Sequence, residues 1–212
     1  MDNNIASRNR LLAERVIRGL ESRNMEGYYA ETKEEALKKA LEIIPEGASI
    51  GWGGSMSVKE IGLREAISNG KYKLFNRDAC ATREEKKAVE LAAFGADFFL
   101  CSSNAITEDG VLVNIDGYAN RIAAIAYGPE NVLMIVGMNK VAKDIDAAVA
   151  RARNVAAPTN TQRFDLTTPC KKTGYCADCK AKDTICCEFL ITRFSRQPGR
   201  IKVILVGETL GY

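Results

Sequence analysis

The sequence predicts an α/β protein built on a mostly parallel sheet with helices on both faces. Short apolar segments of strand length recur along the chain, and capped helices alternate with them. Polar, glycine-rich stretches follow two of these segments, at the place where such sheets carry ligands.

The first element is a helix over about residues 7–24, where Leu12, Val16 and Leu20 recur at helical spacing. Residues 1–26 thus read as a helical arm, with its own domain or a second subunit as the two places it can pack. Three later helix starts carry a hydroxyl and a carboxylate three residues apart: Thr32 with Glu35, Ser57 with Glu60, and Thr82 with Glu85. Such pairs satisfy orphan amides reciprocally. Gly70 and Gly95 stand where the second and third of these helices should stop. The strands are expected at residues 48–51, 72–75, 98–101, 111–115, 132–136 and 202–206. Residues 157–187 break the pattern. They contain Pro158 and Pro169, few large apolar residues and most of the cysteines, and read as a long excursion from one domain spanning residues 1–212.

Composition limits what such a chain can do. The 30 basic and 27 acidic residues nearly balance, so nothing favours a nucleic-acid partner. No apolar run approaches the roughly 18 residues of a membrane span, and the polar start Met1-Asp2-Asn3-Asn4 lacks a signal core. A cytoplasmic setting is the expectation. The absence of histidine excludes Ser-His and Cys-His pairs and any histidine metal ligand. Proton transfer must then use Asp, Glu, Lys, Cys, Tyr or water.

Ile50-Gly51-Trp52-Gly53-Gly54-Ser55-Met56-Ser57 joins a strand to a capped helix. Glycines admit close backbone approach, and free amides at a helix start suit an anion. Gly51, Gly53, Gly54 and Ser55 are therefore candidate ligand contacts, set against a βα turn that needs glycine only for its shape. The loop is neither a dinucleotide fingerprint nor a P-loop. Trp52 either covers a ligand ring or plugs the sheet end.

The stretch from Ser102 to Arg121 is the second candidate. Asp109-Gly110 is a turn signal, and Asn114 and Asp116 share one face of the strand that follows. Asn104, Thr107, Asn114, Gly117, Asn120 and Arg121 are expected around a small anionic ligand, with Arg121 or the loop amides holding it. Asp109, Glu108 or Asp116 would handle protons. The alternative is that these residues only make turns and caps.

Five of the seven cysteines lie in C-x5-C-x2-C-x6-C-C. In a reducing compartment this grouping suggests a metal centre ahead of a disulfide framework. Cys170, Cys176, Cys179 and Cys186 would supply four thiolates to zinc or an iron–sulfur cluster, with Cys187 as a substitute for Cys186. A flexible reduced segment or a redox disulfide is the alternative. Cys80 and Cys101 read as small apolar side chains.

Residues 103–117, Ser-Asn-Ala-Ile-Thr-Glu-Asp-Gly-Val-Leu-Val-Asn-Ile-Asp-Gly, followed by Asn120-Arg121-Ile122-Ala123-Ala124, resemble the motif of the lactate-utilisation (LUD) family. The glycine loop and Ile201-Lys202-Val203-Ile204-Leu205-Val206-Gly207-Glu208 resemble that family in the same order, so the likeness spans nearly the whole chain. Tyr118-Ala119 departs from a smaller, more glycine-like pair. The resemblance implies the fold of ribose-phosphate isomerase, sugar-phosphate deaminases and CoA transferases (NagB/RpiA/CoA transferase-like). It also implies a part in oxidising lactate or a related 2-hydroxy acid, beside iron–sulfur partner proteins, and favours iron–sulfur over zinc at the cysteines. An isomerase or transferase acting on a sugar phosphate or CoA ester, and a non-enzymatic electron-transfer or assembly module, remain as alternatives; a homodimer is compatible with all three.

Overall fold

The computed structural model describes residues 2–212. Six strands, β1 (Glu26–Ala30), β2 (Ser49–Trp52), β3 (Lys73–Phe75), β4 (Phe98–Cys101), β7 (Asn131–Gly137) and β10 (Ile201–Val206), form one wholly parallel sheet in the order β1-β10-β7-β4-β2-β3. The central strands are apolar almost throughout, as burial on both faces requires. Alternate side chains therefore enter two separate cores. Phe98, Leu100, Leu133 and Ile135 pack under α2 (Lys33–Ile43), α3 (Met56–Glu60) and α4 (Leu63–Ile67). Phe99, Cys101, Val132, Met134 and Val136 pack on the other side against α1 (Asn3–Glu21) and α6 (Asn120–Ala126).

The expected helix at the N-terminus is α1, and its Ala13, Val16 and Leu20 enter the second core, so the arm packs on its own domain. Its arginines reach out from that seat: Arg10 pairs with Glu31 and Arg15 with Glu108. The Thr82–Glu85 box forms in full at the start of α5 (Arg83–Ala92). The Ser57–Glu60 box does not form. Ser55 caps α3 instead, accepting from the Val58 amide, and Gly62 at φ +75° divides the expected helix into α3 and α4.

A second, smaller sheet was not foreseen. It runs β8 (Val141–Ala142), β5 (Ala105–Thr107), β6 (Leu112–Asp116), β9 (Glu188–Thr192). The strand expected at residues 111–115 is β6, and it lies here because the Asp109-Gly110 turn, with Gly110 at φ +87°, reverses the chain. A reversed strand cannot join the parallel sheet in its own direction. The remaining helices are α7 (Ile145–Arg151), α8 (Ala157–Thr161) and α9 (Pro169–Thr173), with a π-helical turn at Ala152–Ala156 joining α7 to α8. No helix among the described residues is long and apolar enough to cross a membrane.

Candidate functional site

The carboxyl ends of β2, β4, β7 and β10 lie side by side, and the polar residues that follow them converge. The glycine loop leaves β2 there. Gly51 is still within the strand, and a Cβ on it would stand 2.6 Å from the Ala93 Cβ, so this glycine serves packing. Gly53 lies against Arg121, where a Cβ would come 3.2 Å from Cδ. Gly54 faces open space, and its carbonyl accepts from Arg163 at 3.1 Å.

Arg121, in the first turn of α6, organises the Asn-rich stretch. It donates to the Ser102 carbonyl (3.2 Å), Asn114 Oδ1 (2.5 Å), Asn104 Oδ1 (3.1 Å) and the Ile115 carbonyl (2.6 Å). Its Nε stands 3.4 Å from Asp116 Oδ2. Four of the five guanidinium N–H donors are thereby engaged, whereas Nε faces Asp116 Oδ2 as an ion pair only, and that buried oxygen has no hydrogen-bond partner. Arg121 therefore ties β4, β5 and β6 together, its four Nη donors all going to protein acceptors. Asn104 also accepts from the Ile115 amide at 2.9 Å. The Asn114 side-chain nitrogen is buried without a hydrogen-bond partner.

The other carboxylates go elsewhere. Asp109 is held by Arg23, just beyond α1, and by Thr107, whose hydroxyl foremost keeps the Asp109 carboxyl below its ordinary range. Thr107 in turn accepts from the Val111 amide at 2.8 Å, closing the turn. Glu108 pairs with Arg15 on α1. Gly19 is where the helix meets this turn, since a Cβ there would collide with the Asp109 backbone. Asp109, Glu108 and Thr107 thus dock α1 on the second sheet, whereas Asp116 sits beside Arg121. Asn120 donates to Glu90 at 3.1 Å. Trp52 is a plug: it is buried, donates to Asp78 at 2.9 Å and lies under the Arg64 guanidinium, 4.4 Å from its ring centre.

A second constellation was missed in the sequence. Lys140, on the turn after β7, is buried, and its Nζ lies 3.0 Å from Ser57 Oγ and 3.1 Å from Ser102 Oγ. Arg151 lies nearby on α7 and donates to the Asn139 and Asn104 carbonyls. Burial, then the positive charges of Arg151 and Arg121, push the Lys140 amine down to about 7. The available signal was position: Lys140 follows the longest apolar strand, and Ser102 follows β4 directly.

The cysteine excursion packs against this region. Cys170, Cys176, Cys179 and Cys186 all line one void of about 60 Å³. Cys187 is exposed and lies outside it. Burial first, and then the neighbouring Cys170, Cys176 and Cys179 thiols, raise the Cys186 thiol to about 11. Arg153, from the π-helical turn, reaches Cys176 Sγ at 4.0 Å and bonds Asp178. Thr161 and Thr168 stand 3.7 and 3.5 Å from Cys170 Sγ. Among the described residues no three Cys, Asp or Glu side chains group tightly enough to hold a single ion as they stand. Gly117 links the two places: a Cβ on it would come 3.2 Å from Ile185 Cα, and the adjacent Asp116 carbonyl accepts from the Cys187 amide at 3.0 Å.

Comparisons with known proteins fit this picture. A family model described as LUD domain matches residues 13–206. Among solved structures, a DUF162 family protein from Deinococcus radiodurans is similar over 93% of this chain and 98% of its own, at 12% identity and a TM-score of 0.52. An eIF2B delta from Chaetomium thermophilum aligns over 67% of this chain and 55% of its own, at 17% identity and a TM-score of 0.36, and we draw nothing from it. A search of curated proteins gave no match.

Proposed function

The chain belongs to the LUD domain family, and from that premise we propose that it serves the oxidation of lactate or a related 2-hydroxy acid as a component carrying an iron–sulfur cluster. The observation that carries this reading is the shared void of Cys170, Cys176, Cys179 and Cys186, with exposed Cys187 outside its lining. Four thiolates around zinc lie at Zn–S distances of about 2.3 Å and leave no space between them. A void of about 60 Å³, lined also by Arg153, Thr161, Thr168 and Phe189, exceeds the roughly 10–15 Å³ that admits one water, so a multi-atom inorganic group has room beside these thiols. Arg153, beside Cys176, would offset the negative charge of the thiolates. Such a cluster, when bound, supplies one-electron transfer. The second part of the reading is a small anionic ligand at the strand ends beside Gly53 and Gly54, within the field of Lys140, Arg121 and Arg151.

The test is iron, acid-labile sulfide and zinc content of protein purified without oxygen, with a visible spectrum. Iron and sulfide are expected, lost in Cys186→Ser and kept in Cys187→Ser. Stoichiometric zinc would make the loop a structural staple. Neither metal, with all thiols free, overturns the reading.

A further inference from the structure

Lys140 is buried in an unusual way. Arg200, another buried cation, donates to three backbone carbonyls, and Arg121 makes four hydrogen bonds and an ion pair with Asp116. Lys140 is 3% exposed, and the partners of its Nζ are two neutral hydroxyls, Ser57 on α3 and Ser102 after β4. It belongs to none of the ion pairs among the described residues. The charged groups that face it are Arg151 from α7, Arg121 from α6 and Glu60 from α3. Glu60 accepts from the Gly211 amide at 2.9 Å. Two positive neighbours and desolvation thus outweigh one engaged carboxylate, and near neutral pH much of the amine carries a free lone pair.

A desolvated lysine beside other cations is the arrangement that activates an amine as a nucleophile toward carbonyl carbon. Imine formation also needs proton donors and acceptors next to the nitrogen, and the two serines stand there. We propose that Lys140 is a reactive amine that condenses reversibly with a small carbonyl compound bearing an anionic group, Ser57 and Ser102 relaying the protons. The Nζ lone pair forms the C–N bond while the carbonyl π pair moves to oxygen. The nitrogen loses its protons through the hydroxyls, the oxygen gains them, and water leaves as C=N forms. Carbonyl plus amine gives imine plus water, with no net oxidation.

The anionic group follows from the field that disfavours the ammonium: the same guanidiniums favour a carboxylate or phosphate in that place. Two sources share this chemistry. A 2-oxo acid, the product of oxidising a 2-hydroxy acid, rests on the function proposed above; a keto- or aldo-sugar phosphate does not. The segment after β10 covers the amine: Leu210 is fully buried, and Gly211 passes so close that a Cβ there would stand 2.7 Å from Ser57 Oγ and 3.3 Å from Lys140 Nζ, so entry of the ligand requires this cover to shift.

The experiment incubates the whole chain with pyruvate, or with ribose 5-phosphate, and sodium cyanoborohydride from pH 6 to 9, and reads intact mass and mapped peptides. A single adduct on the Lys140 peptide is expected, its yield rising with a midpoint near pH 7. Lys140→Met should reduce that adduct to background, and Ser57→Ala should slow capture by on the order of tenfold or more. Thermal unfolding of each variant shows that it is folded. Capture of pyruvate alone assigns a 2-oxo acid; capture of the sugar phosphate alone keeps the reactive amine and removes lactate chemistry from this site. Cys186→Ser should still form the adduct, so failure of the cluster reading leaves this result untouched. No adduct with either compound, or labelling spread over surface lysines and unchanged in Lys140→Met, overturns the proposal.

Discussion

Replacing Lys140 with methionine should make the protein more stable in mild acid, and the gain should vanish as pH rises. The amine falls from an ordinary 10.5 to about 7 in the folded chain. At 1.36 kcal/mol per pH unit, the buried ammonium costs about 5 kcal/mol. The sign follows from proton binding: the unfolded chain holds this proton up to about pH 10.5 and the folded chain releases it near 7. Below pH 7 both states are protonated and the full cost applies; between 7 and 10.5 it fades. From pH 6 to 9 the native protein should therefore gain about 3 kcal/mol relative to Lys140→Met. Methionine keeps the apolar stem and forgoes two hydrogen bonds worth about 1 kcal/mol each. That leaves the variant ahead by about 3 kcal/mol at pH 6. Urea unfolding of both proteins at pH 6, 7, 8 and 9 measures this difference directly. Parallel stability curves would refute the reasoning, because they would mean that the amine keeps its proton throughout.

Other consequences can be checked separately. Arg121→Lys leaves Asn104, Asn114 and two carbonyls short of donors, and should cost about 2–4 kcal/mol in denaturant unfolding. Gly19→Ala should loosen α1 by more than about 2 kcal/mol through collision with the Asp109 backbone, whereas Gly54→Ala meets nothing within 4 Å and should fold as the parent does; equal melting temperatures would be the wrong outcome. In metal-free protein, iodoacetamide should modify exposed Cys187 first. Cys101, fully buried and pushed by that burial to about 12, should stay unmodified at pH 9 until the chain unfolds, as mapped by peptide mass.

Much of the fold was legible because strand length, apolar runs and helix caps are local properties. Residues 98–101 and β4 coincide, and Thr82–Glu85 caps α5 as the spacing implies. β1 and β9 escaped because Glu-Gly-Tyr-Tyr-Ala and Glu-Phe-Leu-Ile-Thr are only half buried and carry weak patterns. At the site, the glycine loop and the Asn104–Arg121 stretch do meet, at Gly53 and Arg121. The aim of the carboxylates was not legible. An Asp-Gly turn announces itself in sequence, but the direction of Asp109 is set by where α1 docks, far away in the chain. Lys140 was hidden for the same reason, since a lysine shows its burial only when four strand ends come together.

The strand order carries a lesson about synthesis. β10 follows every other strand of this sheet in the chain, yet it stands between β1, which precedes them all, and β7. Until it arrives, β1 has no neighbour in the sheet, and one edge of β7, with Val132, Leu133 and Met134, stands unpaired. Such an open apolar edge invites pairing with another chain. The sheet therefore stays open between β1 and β7 until β10 has been made, and it is in that interval that a holding chaperone would matter to the yield.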